Sequence, residues 1–522
     1  MIKINKENRW AMVMSLVYAF VLLFFLSHDS YLYDLYLQSD TAAFFICGKA
    51  WMCGMIPYVD FADSKGPLLW LIYGVGYLIS HHSYIGVFWI SVLFYTVTLF
   101  TAYKLCRLFV DKDVAKVSTA ILPLFLFFFI FNPSDTKCEE FCYTFIMLSL
   151  YCTCKILKNR DTDAKTYFRL SALTGVCSMC CMLIKYNIGC MIMGLMAVEL
   201  YMAIRHKAGW QSFAGMTAGF VVPAIPFVIC FLIYGNLGAF VQEYFIHTFE
   251  TIEAKGITHM DWFFEGQTTP IKKLLVLIST LAALLVILFG TVWFCRKQKI
   301  GMWLVPCFFL FIIGLGTLVT VAYWYMVVLP FSVFFVVEVV SFLFDRKQWL
   351  RENVKKLCIL SAFLSIALNI FLEVTRFDIS VEKEKRTNFY KAGYVMSQVK
   401  KPKVFYCSEG YGIGLAADFL PACRYWICQA GASKEMIEER EKDLKRGVAD
   451  FVIIENPSVE KKKELESYGY VYYCSAPIPR YRRDCKSGFY TQVYGRPGLR
   501  LPPADFHVSQ WDVWLKRNIF GI

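Results

Sequence analysis

Charge is what this sequence has least of. Of 522 residues only 18% are Asp, Glu, Lys or Arg, where a soluble chain carries nearer ~25%. That shortage excludes an ordinary soluble globular protein. The net charge of +13 does not point to nucleic acid either, because most lysines and arginines sit in short clusters between apolar runs. A disulfide scaffold is also missing. There are 20 cysteines, but many of them, such as Cys177, Cys180, Cys181 and Cys190, lie inside apolar runs, where a thiol behaves as a small apolar side chain. Cys152 and Cys154, spaced C-x-C within such a run, do not make a metal site on their own. No small-residue cleavage site follows the first apolar run, 10–27, so it reads as a retained span and not as a removed signal peptide. Internal repeats and low-complexity tracts are absent.

Long apolar runs are what the chain has in abundance: 57% of its residues are hydrophobic and 17% aromatic. A helix needs ~20 apolar residues to cross ~30 Å of hydrocarbon. Eleven runs come close: 10–27, 84–103, 114–131, 141–157, 170–184, 186–204, 212–234, 274–295, 300–322, 325–344 and 357–373. A twelfth, 67–80, has only 14 residues. Basic clusters mark the cytoplasmic side. They are Lys3/Lys6/Arg9, Lys104/Arg107/Lys112/Lys116, Lys155/Lys158/Arg160/Lys165/Arg169, Arg205/Lys207, Arg296/Lys297/Lys299 and Arg346/Lys347/Arg351/Lys355/Lys356. All six share one side only if 67–80 does not cross. The expected fold is therefore a polytopic α-helical membrane protein with about 11 spans plus juxtamembrane helices. Its N-terminus is expected in the cytoplasm and its C-terminus outside the cell (inner or plasma) membrane.

Residues 1–373 are then the membrane module, and 374–522 a small extracytoplasmic α/β domain. In that domain "KVFYC" (403–407), "ADFVIIE" (449–455) and "YGYVYYC" (468–474) read as strands around a charged helical segment, 433–446. "EGYGIGLAA" (409–417) lacks the full G-x-G-x-x-G spacing of a dinucleotide loop and reads as a turn.

Charges beside a membrane are costly and tend to be functional. The first outer loop, 28–83, carries Asp34, Asp40, Lys49, Asp60, Asp63 and Lys65. "TAAFFICGKAWMCG" (41–54) suits a helix lying on the interface. Asp40 with Thr41 can cap its start, and Gly54 can end it. A capping aspartate needs no further role, but Asp40 has charged company in the same loop. In the second outer loop, "NPSDTKCEE", the acids Asp135, Glu139 and Glu140 precede a span, where the helix dipole alone would favour them. Lys185 interrupts "LIKYNIG" with no real loop, either snorkelling or serving a site. Glu199 and Glu338 fall within spans toward the cytoplasmic half and read as packing residues. "YWY" (323–325) fits an aromatic belt. Carboxylates and lysines at one outer surface are what sugar transfer from a lipid phosphate requires. A carboxylate takes the acceptor's proton, and cations, or a metal held by carboxylates, balance the departing phosphate.

The stretch "SDTAAFFICGKAWMCGMIPYVDFADSKGPLLWLIYG" resembles the membrane glycosyltransferases of the GT-C superfamily. It is most similar to the protein-mannosyltransferase, aminoarabinose-transferase and Rgt-like branch. The carrying pattern is an Asp, a juxtamembrane helix, G-x-x-P-Y-x-D-F and then K-G-P-L. The later "LIKYN" hairpin and the α/β tail fit the same group. The resemblance covers about residues 10–345 and, more loosely, the tail. It implies Asp40 as catalytic base or metal ligand, and Lys65 as a contact to donor phosphate. Glu139 or Glu140 would be the second-loop acid, and Lys185 the recurrent lysine after the fifth span. Asp60, within the same motif, joins the substrate-binding set. It further implies a polyprenyl-phosphate sugar as donor, a lipid-linked or envelope glycan as acceptor, inversion at the anomeric carbon, and Mg or Mn, if a metal is used, on Asp40 with Glu139 or Glu140. Two other readings stay open. A transporter or flippase would show mid-membrane charges and inverted repeats. A polysaccharide ligase or polymerase would use a large later loop, and 235–273 holds Glu243, His247, Glu250 and His259.

Overall fold

The computed structural model describes residues 6–27, 29–31, 39–81, 83–127, 138–159, 163–247, 270–316, 322–374, 391–407, 418–427, 433–455, 457–477 and 490–501. Asp34, Asp135, the stretch 409–417, Glu250 and His259 lie outside the described residues, as do the side chains of Tyr323 and Trp324. The chain divides into two compact units. One comprises Met1–Ser27, Ser91–Ile229 and Ile257–Phe371; the other comprises His28–Ile90, Cys230–Gly256 and Leu372–Ile522.

From the N-terminus the helices run α1 (Lys6–Leu26), α2 (Ser39–Met52), α3 (Pro67–Ile79), α4 (Ile85–Arg107), α5 (Lys112–Ile121), α6 (Pro123–Leu126), α7 (Cys138–Lys158), α8 (Ala164–Ile184) and α9 (Tyr186–Arg205). Next comes α10, Gly209–Tyr234, continuous apart from one 3-10 turn at Val222–Ala224. Among the described residues eight helices are long and apolar enough to cross a membrane: α1, α4, α7, α8, α9, α10, Lys273–Gln298 and Tyr325–Arg346. The protein is a multi-pass membrane protein.

Two of the eleven expected spans, 114–131 and 300–322, depart from that pattern. The run 114–131 breaks at Pro123, which cannot donate to the preceding turn, so α5 ends and the four-residue α6 begins. Within 300–322 the helix Leu304–Gly316 forms, and 317–321 lie outside the described residues. The run 357–373 becomes a helix of 21 residues, Val354–Val374. The short run 67–80 gives α3, 13 residues, or ~20 Å of helix against ~30 Å of hydrocarbon. Pro67 opens it at a position where its missing N–H costs nothing.

The first unit is packed through small residues, as helices in lipid must be. A side chain at Gly175 of α8 would strike the Met216 carbonyl of α10. Gly215 and Gly219 of α10 meet the carbonyls of Phe168 and Ala172 in the same close way. Ser171 and Ser212 hydrogen-bond across this seam at 2.8 Å. Glu199 accepts from Thr153 and Thr174, each at 2.8 Å. Glu338 takes Gln298 at 2.9 Å and Lys297 at 3.0 Å. Both acids thus serve as helix-to-helix ties, as the sequence suggests.

The second unit joins α2, α3 and the start of α4 to a five-stranded sheet. Its strands are β1 (Lys403–Cys407), β2 (Leu420–Pro421), β3 (Phe451–Glu455), β4 (Val471–Pro477) and β5 (Tyr490–Gly495). Their spatial order is β2-β1-β3-β5-β4. β1 runs parallel to β2 and β3, and β5 runs antiparallel to β3 and β4. The helix Lys434–Lys445 starts at a Ser433 cap, and its Arg440 donates to the Tyr406 carbonyl at 2.6 Å. Close glycine contacts recur here: Gly74 of α3 sits 2.9 Å, as a Cβ position, from the Gly48 carbonyl of α2.

Candidate active site

The candidate residues divide between the units. Asp40, Asp60 and Lys65 belong to the second, and Glu139, Glu140 and Lys185 to the first.

α2 begins at Ser39, so Asp40 lies in its first turn, where the helix dipole favours a negative charge. Asp40 is half-buried, and its carboxylate has no hydrogen-bond partner among the described residues. Phe44, one helical turn on and hence on the same face, carries the Lys65 ammonium 5.6 Å above its ring. The first-loop acid and the lysine of the K-G-P-L element are thus associated with one face of α2.

Lys65 ends a tight turn built from "PYVDFADSK". The Asp60 carboxylate accepts the Ile56 N–H at 2.7 Å and closes it. Asp63 accepts the Ser64 N–H at 2.6 Å. Tyr58 adopts a positive φ of 62°, a conformation that costs an ordinary side chain free energy and persists only where the surroundings hold it. They do: the ring is fully buried against Trp70, Phe231 and Phe240, with centroids at 4.6, 5.8 and 5.2 Å. Its hydroxyl donates to the Lys65 carbonyl at 3.0 Å. Burial raises the Tyr58 pKa well above the usual phenol value, so it stays a donor. Lys65 itself donates to Ser64 Oγ at 3.2 Å.

In the first unit Glu139 is 1% exposed at the start of α7. Its Oε1 lies 2.6 Å from Lys185 Nζ, and its Oε2 accepts from Cys138 Sγ at 3.0 Å. Glu140 accepts from the Tyr95 hydroxyl at 3.3 Å. Lys185 is an extended residue between α8 and α9, its N–H bonded to the Cys181 carbonyl at 2.7 Å. The "LIKYN" lysine is therefore the ion partner of the first of the two glutamates. A carboxylate already satisfied by a lysine fits poorly as a ligand for Mg or Mn. Among the described residues no three His, Cys, Asp or Glu gather as a metal site.

Sequence reading missed Asn236, Arg424 and Tyr425, and named Glu243 and Lys49 without the partners they take here. Asn236 donates to the Pro57 carbonyl at 2.7 Å. The Arg424 carbonyl accepts the Ala62 N–H at 2.8 Å, and Arg424 Nε donates to the Val59 carbonyl at 3.3 Å. Glu243 is 5% exposed, accepts the Tyr425 hydroxyl at 2.8 Å and lies 3.6 Å from the Arg424 guanidinium. Burial, then the Glu243 charge, raises the Tyr425 pKa, which keeps that hydroxyl protonated. Glu243 stands on a five-residue π-helical segment, Gln242–Ile246, a rare geometry that favours functional positions. Lys49 of α2 is 1% exposed and pairs with Asp418 at 2.5 Å and the Phe419 carbonyl at 2.9 Å.

Comparison with known proteins adds to this geometry. The structure matches ArnT from Cupriavidus metallidurans, both in its apo state (TM-score 0.60) and bound to undecaprenyl phosphate (TM-score 0.57). In each case identity is 12%, with 93% of this chain and 97% of that chain covered. The chain shares the fold of that protein, the GT-C fold. The GT-C fold expected from the first-loop motif is thus present. The sequence model of the dolichyl-phosphate-mannose-protein mannosyltransferase family matches residues 64–234, from the end of the first-loop turn to the end of α10. No curated protein matches the sequence significantly.

Proposed function

We propose that this protein is a glycosyltransferase that moves a sugar from a polyprenyl-phosphate donor to a lipid-linked or cell-envelope glycan on the extracytoplasmic face. The observation that carries the reading is the arrangement on α2: a partly exposed Asp40 carboxylate, without a hydrogen-bond partner among the described residues, one helical turn from the ring over which Lys65 sits. The fold, the mannosyltransferase match and the undecaprenyl phosphate bound by the Cupriavidus protein support it. So does the composition of the second unit. The stretches 28–83, 235–273 and 374–522, which the basic clusters put on one side, supply nearly all of that unit.

In this reading the acceptor hydroxyl oxygen attacks the anomeric carbon and forms the new C–O bond. The bond from that carbon to the donor phosphate oxygen breaks, and its electron pair leaves with the polyprenyl phosphate. Asp40 takes the hydroxyl proton. Lys65 stabilises the charge that grows on the phosphate. We assign Asp60 to closing the turn that presents Lys65, and Glu139, Glu140 and Lys185 to substrate binding in their own unit.

The test is the lipid-linked and envelope glycan profile of a strain from which the gene has been deleted. The proposal expects an intermediate one sugar short, which would also name donor and acceptor. A profile in which every glycan is complete would remove the transferase reading, and movement of a lipid-linked glycan across vesicles without chemistry would replace it with transport.

A further inference from the structure

We infer that Glu243, Arg424 and Tyr425 are positioning residues for the transfer: the C-terminal domain takes part in the reaction by fixing the turn that presents Lys65. This deepens the reading above and rests on it. None of the three lies in the motif that carries the resemblance, and none reaches the turn through a nearby stretch of chain.

The turn is held both from within and by residues distant in sequence. Its own bonds include the Asp60 carboxylate to the Ile56 N–H at 2.7 Å, the Val59 and Asp60 N–H groups to the Ile56 carbonyl at 3.2 and 2.9 Å, the Tyr58 N–H to the Phe61 carbonyl at 2.7 Å, and the Tyr58 hydroxyl to the Lys65 carbonyl. Other ties come from afar. Arg424 is bonded to it on both sides of Asp60, through the Val59 carbonyl and the Ala62 N–H. Ala62 also packs in one buried cluster with Tyr425 and Met436. Arg424 and Tyr425 are themselves fixed by one buried carboxylate, Glu243, which His247 Nδ1 meets from the other oxygen at 3.1 Å. A buried carboxylate that orders an arginine and a phenol together is a rigid support, because each of its oxygens is engaged. The pairings bridge 182 residues between Glu243 and Tyr425 and 365 between Val59 and Arg424. Segments so distant in sequence meet only once the fold is complete, so the turn takes its shape from the finished second unit.

A support of this kind acts on Lys65 through its backbone, so its loss should displace the ammonium without removing it. Misplacement on the ångström scale costs up to about 10²-fold. The experiment uses the full-length protein in detergent, with undecaprenyl phosphate as the probe. Glu243→Gln, the milder Tyr425→Phe, Arg424→Gln and Arg424→Lys are compared with wild type and with Lys65→Ala. Two quantities are read: probe affinity, and amide hydrogen exchange of peptides covering 56–66. We expect faster exchange in 56–66 with β3 and the spans unchanged. We expect affinity lower by about 10- to 100-fold in Glu243→Gln and Arg424→Gln, less in Tyr425→Phe, and partly restored in Arg424→Lys. If Lys65→Ala weakens binding but Tyr425→Phe and Glu243→Gln change neither exchange nor affinity, the positioning role is wrong. If Lys65→Ala itself binds the probe like wild type, the functional reading beneath it fails, and this inference fails with it.

Discussion

In the proposed reaction Asp40 is the base and Lys65 the contact to phosphate, and the residue scale offers tests of several kinds. Removing a positioned general base should lower the rate of sugar transfer by about 10²- to 10⁴-fold. Asp40→Asn should show that loss with the protein expressed and folded as before. Lys49 gives a prediction of another kind. Burial lowers its pKa, and the Asp418 charge only partly offsets that. An unfolded lysine keeps the ordinary value of ~10.4. Between the lowered value and that one, the unfolded chain binds more protons than the folded one, so stability rises with pH across the window. Lys49→Met has no such step. The stability difference between wild type and Lys49→Met, measured by thermal unfolding in detergent, should therefore move in favour of wild type as pH climbs through the alkaline range. A flat difference would contradict the burial of a charged lysine. The Glu139–Lys185 pair predicts a non-additive result. Removing one member of a buried pair costs about 3–5 kcal/mol, so Glu139→Ala should destabilise strongly, and Glu139→Ala with Lys185→Met much less than the sum of the two single changes.

At the level of elements, α8 and α10 approach so closely that only glycine fits at Gly175, Gly215 and Gly219. Overpacking of this kind costs about 1–3 kcal/mol where the neighbour can yield. Here the neighbours at Gly175, Gly215 and Gly219 are backbone, so Gly219→Val should lower the melting temperature more than Gly238→Val, whose added Cβ meets nothing. Much of this level was legible in the sequence. The apolar runs gave the spans, Pro67 and Gly66 gave the start of α3, and Lys185 marked the break between α8 and α9. Ser433 was readable as the head of the charged helix in the α/β domain. Two strands were not. β2 is only Leu420–Pro421, and β5, "YTQVYG", alternates too weakly to stand out. β4 is displaced to Val471–Pro477 from the run read at 468–474, because the register is set by pairing with β5 and not by local composition.

For the whole molecule, the short α3 decides how the chain is laid out. If 67–79 does not cross, His81, Asn236 and the α/β domain share one side of the membrane. A cysteine introduced beside each of these positions should then be labelled from the outside of intact cells by an impermeant reagent. Labelling at residue 81 only after lysis would reverse the later loops. The first-loop motif was readable because its parts are neighbours in sequence. The Glu243–Arg424–Tyr425 support was not, because no pattern in one sequence connects residues 182 apart that meet only through folding. The central claim, that Asp40 of this fold catalyses sugar transfer, is tested most directly in a deletion strain supplied with either wild-type protein or Asp40→Asn at equal expression, with lipid-linked and envelope glycans read by mass spectrometry. Wild type should restore the complete glycan, and Asp40→Asn should leave the intermediate one sugar short. A complete glycan in both would contradict the account.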